Sequence, residues 1–240
     1  MRVKLATVYV RARTLELARL PAFTIPTVVF PAALYLAVAG RRPGDATAVM
    51  AGFAAIAVLG VAFFQFGVGI ASERISHWER YLRSLPAGPV PRIAGRVGSA
   101  IVFASCAAGA VLLGGSARTS ASLPALRVCA LAAALVVGAV PFALLGTALG
   151  YLVPARAAVP VANFVYLPLA YAGGLWSGPD GREGGYRLLI PTRAWAQTVW
   201  AAVGAGPLPL GAPLALCAWT VAFGVLAAWA YRRDEGERFR

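Results

Sequence analysis

The 240-residue chain holds one lysine, Lys4, one histidine, His77, and three cysteines. With its single lysine at the extreme N-terminus, it cannot spell the Gly-Lys-Ser/Thr end of a phosphate-binding Walker loop. One histidine excludes a multi-histidine metal site. Cys106, Cys129 and Cys217 lie far apart inside apolar runs. They read as small buried hydrophobes rather than as a disulfide or a zinc set. Acidic residues are also scarce, 9 against 22 basic ones, for a formal charge of +13.

What the chain has instead is apolar bulk. Sixty per cent of residues are hydrophobic, 13% are charged, and the mean hydropathy is +0.72. A soluble fold needs more polar surface than this, so most of the chain is expected to face lipid or other lipid-buried helices. The basic excess then points to a cytoplasmic membrane face rather than to nucleic acid.

Six stretches reach the roughly 20 residues that cross a bilayer. They are 21–39, 46–72, 93–115, 123–153, 157–176 and 208–231. Charges at Arg2, Lys4, Arg11, Arg13, Glu16 and Arg19 interrupt any apolar core at the N-terminus, so it does not read as a cleavable signal. With both termini cytoplasmic, the inner segments hold fifteen basic residues. These are Arg2, Lys4, Arg11, Arg13 and Arg19, then Arg74, Arg80, Arg83, Arg92 and Arg96, then Arg156, and finally Arg232, Arg233, Arg238 and Arg240. The outer segments hold seven, Arg41, Arg42, Arg118, Arg127, Arg182, Arg187 and Arg193. That bias favours this orientation. Trp219, Trp229 and Tyr231 flank the last span as interfacial aromatics.

No Asp, Glu, Lys, Arg or His stands in the middle of any span; polar residues at depth are Gln65, Ser99, Ser105, Thr147, Asn163 and Thr220. Ion-driven transporters need titratable groups there. Enzymes within membranes need a nucleophile with a base, paired carboxylates or a metal. Neither is evident, so the chain reads as a non-enzyme whose energy, if it transports, comes from outside the membrane.

The polar segments are patterned. In residues 73–85, Ile75, Trp78, Leu82 and Leu85 recur at helical spacing, with Tyr81 at the edge of the stripe. Glu73, His77, Glu79, Arg80 and Arg83 take the other side. This is a short amphipathic helix that stops near Pro86 and Pro89, with a solvated loop helix as the plainer alternative. In residues 1–20, Val3, Ala6, Val10 and Leu17 share a face, as in an interfacial helix or a tethered basic tail. Between the last two spans, residues 186–203 read as a short outer helix with Thr192 as N-cap, lying in or dipping into the leaflet, or as a loop that caps the bundle. Gly146 and Gly150 form a GxxxG pair suited to close packing inside the bundle.

In this order the parts resemble the ABC-2 type permeases, the membrane subunits of one class of ABC exporter. Three segments carry the resemblance. The first is Arg19-Leu20-Pro21-Ala22-Phe23 running into Phe30-Pro31. The second is Glu73-Arg74 and Glu79-Arg80 with Leu82 and Leu85-Pro86, and the third is Ile190-Pro191-Thr192 after a glycine-rich loop. Ser76-His77-Trp78 stand where many members have a glycine. The resemblance implies an all-α integral membrane protein, residues 1–240 forming one transmembrane permease domain in a bacterial plasma membrane. It implies a dimer with a second permease copy or paralogue, joined to two copies of an ATPase subunit that binds ATP and magnesium. This chain would bind no cofactor.

The resemblance further implies that residues 73–85 form a coupling helix docked on the ATPase. Glu73, Arg74, His77, Glu79, Arg80 and Arg83 would face the ATPase or the N-terminal helix, while Ile75, Trp78 and Leu82 hold the lever against the bundle. The substrate path would draw on Phe63, Phe64, Gln65 and Phe66, and on Asn163, Phe164 and Tyr166; each of these could equally be helix packing. Aromatics with an amide or two suit an amphipathic small molecule such as a drug or antibiotic. A lipid, lipid-linked glycan, peptide or haem-related substrate stays open, as does a structural or regulatory membrane protein.

Overall fold

A computed structural model describes residues 2–39, 45–76, 89–118, 123–179 and 185–238, and every regular element among them is helical. The first helix, α1, is Arg2–Ala18. Next comes α2, a broken helix made of Pro21–Thr24, a π turn Ile25–Val29, and Phe30–Ala39. The long α3 runs Ala46–Glu73, with a π-helical stretch at Ala62–Val68. Then follow α4 (Pro89–Arg118), α5 (Ala125–Leu152) and α6 (Ala155–Ala172). A 3-10 turn at Gly185–Leu189 leads into α7 (Pro191–Val203), and α8 is Gly211–Arg238.

Four helices are long and apolar enough to cross a membrane: Ala46–Glu73, Ile93–Arg118, Ala125–Leu152 and Gly211–Glu235. They fall where four of the six expected spans were placed. The other two segments are helical but are not among the four. Segment 21–39 is helical from Pro21 to Ala39, with its π turn at Ile25–Val29, and the apolar run among its described residues is Thr27–Val38. Segment 157–176 yields α6, which has 18 residues, carries Arg156, Asn163, Pro160 and Pro168, and is not among the four.

The organising element is α3. Asp45 caps its start by accepting hydrogen bonds from the amides of Thr47 (2.8 Å) and Ala48 (3.4 Å). Its most apolar window is 89% buried, against 33% for α4, 33% for α5 and 17% for α8. Composition explains this: the alanines and glycines of 46–62 are narrow on every side, so neighbours can close around the whole helix. One flank is α1, α2 and α4; the other is α5, α6, α7 and α8, and the two meet chiefly through α3. Aromatic contacts fix the joints. Tyr35 of α2 meets Phe53 of α3 at 5.5 Å between ring centres, and Phe53 meets Trp176 at 5.8 Å.

The GxxxG pair lies against α3. A side chain at Gly146 or Gly150 would meet the backbone of Ala62, Phe66 and Gly67 in the π-helical stretch. The expected burial of the three cysteines does not hold: Cys106, Cys129 and Cys217 are all exposed on the outside of their helices. A face turned to lipid is as apolar as a core, so an apolar run does not say which way a residue points.

Helix α7 is enclosed at every position from Pro191 to Gln197, between α3, α5 and α8. Its cap is Ile190 with Pro191 at the first turn, not Thr192. The Thr192 hydroxyl instead donates to the Leu169 carbonyl of α6, 2.5 Å away. At its far end Gly204 takes the left-handed φ of +79° that closes the last turn, and Arg127 donates to the Val203 carbonyl.

Gly138 is where α5 lets α7 in. A Cβ there would run into the indole of Trp195, whose Nε1 donates to the Ala134 carbonyl at 2.9 Å. Gly138→Ala should therefore destabilise the fold by about 1–3 kcal/mol, the usual cost of overpacking. Thermal unfolding in detergent checks this, and pairing it with Trp195→Leu should restore most of the loss.

Candidate functional site

Two consecutive residues of opposite charge end the central helix. Their ion pairs run to opposite flanks, as expected of neighbours about 100° apart on a helix. The Glu73 carboxylate accepts from Arg13 of α1 through one oxygen and from Arg96 of α4 through the other. Arg13 also reaches Glu16 at 3.5 Å. Arg74 turns to the other flank. It pairs with Asp234 of α8 at 2.5 Å and donates to the carbonyls of Gly150 (2.9 Å) and Tyr151 (2.6 Å) at the end of α5. Its guanidinium stands 5.9 Å from the centre of the Tyr151 ring. The two carbonyls are among those a helix terminus leaves without an internal partner, so Arg74 also caps α5.

These charges are largely withdrawn from solvent: Glu73 and Arg74 are each 22% exposed and Asp234 only 7%. Each is matched, which is the condition for holding charge at such a place.

Between the two flanks, at the same end, lies an open cleft of about 1100 Å³. One wall is α1 and the start of α4, the other is α5 and α8, and Phe66, Ile70 and Glu73 of α3 form the back. The walls are mostly apolar, with charge confined to five side chains. No three or more His, Cys, Asp or Glu side chains among the described residues come together as a metal site.

The residues expected to matter divide. Of the coupling set, Glu73, Arg74 and Ile75 are described; His77, Trp78, Glu79, Arg80, Leu82 and Arg83 lie outside the described residues. Ile75, expected to press on the bundle, is 69% exposed. The helix ends at Glu73, so the turn that follows carries Ile75 away from the bundle. The expected path residues do not form one surface. Phe63 and Tyr166 are buried against each other, 6.3 Å between ring centres. Gln65 is buried with its Oε1 3.2 Å from the Ser99 hydroxyl. Phe64 is half-buried; Phe66 lines the cleft; Asn163 donates to its own helix at the Val159 carbonyl, 3.1 Å away. Phe164 faces outward, 82% exposed.

Sequence reasoning missed the partners Arg13, Arg96 and Asp234. The one available signal was scarcity: in a chain with nine carboxylates, each acidic residue at a helix end is a candidate ion-pair partner. A second polar strip escaped notice on α7, where the Arg193 guanidinium stacks 5.0 Å from the Trp200 ring. Gln197, one turn from Arg193, is buried with neither side-chain polar atom hydrogen-bonded.

No family model, curated protein or solved structure matches this chain. Its class therefore rests on its own features: a helical bundle with four helices able to cross a membrane and an ion-paired junction at one end of the central helix.

Removing one partner from that junction leaves a charge without its match. Asp234→Ala should cost about 3 kcal/mol, at the lower end for a buried pair because Arg74 retains some exposure. The exchange Arg74→Asp with Asp234→Arg should recover part of the pairing but not the cap on α5, and thermal unfolding of the two variants in detergent reads both effects.

Proposed function

We propose that this chain is the permease subunit of an ATP-driven exporter of the ABC-2 type, moving an amphipathic small molecule across a bacterial plasma membrane. It works as a dimer of permeases with two copies of a separate ATPase, with both its termini on the cytoplasmic side.

One observation carries the reading. The segment expected to couple to the ATPase begins where Glu73 and Arg74 tie the central helix to α1, α4, α5 and α8. A force applied just beyond this junction reaches both flanks at once, because neither can shift without breaking a charge-assisted bond. The cleft opens between those same flanks, so a change in their separation would change its width. An ATPase pressing on residues 73–85 would have both a handle and something to move.

The spans add support from what they lack. No Asp, Glu, Lys, Arg or His stands in the middle of a span, where ion-driven transporters usually bind the coupling ion. These 240 residues hold no Walker loop, in keeping with a reading in which ATP is hydrolysed by a separate subunit.

Purification in mild detergent should bring a Walker-containing ATPase with the chain, and the chain alone should hydrolyse no ATP. In the reconstituted complex, substrate should stimulate hydrolysis. Trp78→Ala with Leu82→Ala should leave the permease inserted but uncouple transport from hydrolysis or weaken ATPase binding. Unchanged transport in that double variant removes the lever from residues 73–85.

A further inference from the structure

The wall of the cleft concentrates acid in a basic protein. Glu16, Glu73 and Glu235 line it against Arg13 and Arg96, three negative charges to two positive, on a chain whose formal charge is +13. One third of the nine carboxylates in the sequence meet in this one space.

The cations there are not free to receive an anion. Arg13 and Arg96 both bond to Glu73, and the remaining Nη1 of Arg96 is closed off from the surface. Glu16, although 3.5 Å from Arg13, is 62% exposed, and Glu235 accepts from the Tyr231 hydroxyl. Glu16 and Glu235 sit on opposite flanks, so a molecule between them meets a carboxylate on either side.

The remaining surface suits a bulky apolar body. Phe66, Ile70, Val97 and Leu144 are aliphatic or aromatic, Tyr9 and Tyr231 add further rings, and the ring of Tyr151 already has the Arg74 guanidinium over it. The Tyr151 and Tyr231 rings stand edge to face with centres 5.3 Å apart. Ring faces attract cations, and more so where water is thinned. The volume of about 1100 Å³ exceeds the roughly 300–1,000 Å³ of small-molecule pockets, so the open cleft has room for a bulky ion.

We infer that the cleft binds a lipophilic organic cation, and that this is the chemical class of molecule the protein exports. The second half of this inference rests on the exporter reading above; the first half does not. Binding requires no charge in the middle of the bundle, because the carboxylates stand at its end.

The test uses the purified full chain in lipid nanodiscs, without ATPase, and two probes of the same shape and opposite charge, tetraphenylphosphonium and tetraphenylborate. Empty nanodiscs subtract partition into lipid. Saturable binding of the phosphonium, at least roughly tenfold tighter than any of the borate, is the expected result for a cleft of this sign. Glu16→Gln and Glu235→Gln should each weaken it roughly two- to fivefold, as expected for partly exposed ion pairs, and the double variant about tenfold. Glutamine keeps an acceptor for Tyr231, so the fold at Glu235 is preserved. Equal binding of the two probes, preference for the borate, no saturable phosphonium binding, or variants that bind as the parent does would each overturn the inference. The probe comparison needs no variant, so a misfolded substitution does not blunt it. Because no ATPase is present, failure here leaves the exporter reading to its own copurification test. Phosphonium binding by a chain that never recruits an ATPase would remove that reading while the cation site stood.

Discussion

The fold turns on a constraint of angle. Glu73 and Arg74 are adjacent and opposite in charge, and their place at the end of a helix enclosed on all sides leaves few ways to satisfy both. The solution gives each flank one half of the dipeptide. Arginine suits this task because its planar fork can serve an acid and two carbonyls together, as Arg74 does. An apolar plug could be as stable or more so, but it would not fix which helix meets which.

Small residues make the arrangement possible elsewhere. The closeness of α5 to α3 depends on Gly146 and Gly150, and that of α5 to α7 on Gly138. In a lipid-like setting the gain from association comes from such close backbone approach rather than from hiding apolar surface. The centre of the bundle can then be uncharged, and ionic groups collect at its ends, where water or a partner can reach them.

The sequence was legible where a single number governs. Length and hydropathy located α3, α4, α5 and α8 because crossing a bilayer sets a minimum apolar length. They were less informative for α6, where Arg156 and Asn163 stand in an 18-residue helix that is not among the four. Direction was not legible at all. Phe164 and Phe63 look alike in an apolar run, yet one points outward and the other is enclosed. The same ambiguity hides the orientation of Cys106, Cys129 and Cys217. Glu73 and Arg74 could be singled out by their place after a span, whereas Arg13, Arg96 and Asp234 become partners only through packing between helices up to 160 positions apart in sequence. The reading of Thr192 failed for a local reason: its hydroxyl found a carbonyl on another helix before it could serve its own.

The π-helical stretch at Ala62–Val68 has a consequence for how this chain can vary. Such a stretch amounts to one residue more than a regular helix would hold, and each residue rotates everything beyond it by about 100°. Losing a residue from the regular turns between that stretch and the junction would carry Arg74 to the side now taken by Glu73, against Arg13 and Arg96. Related chains that keep this junction should therefore tolerate substitutions along α3 far more readily than insertions or deletions, so that its length is held to the residue while its composition drifts.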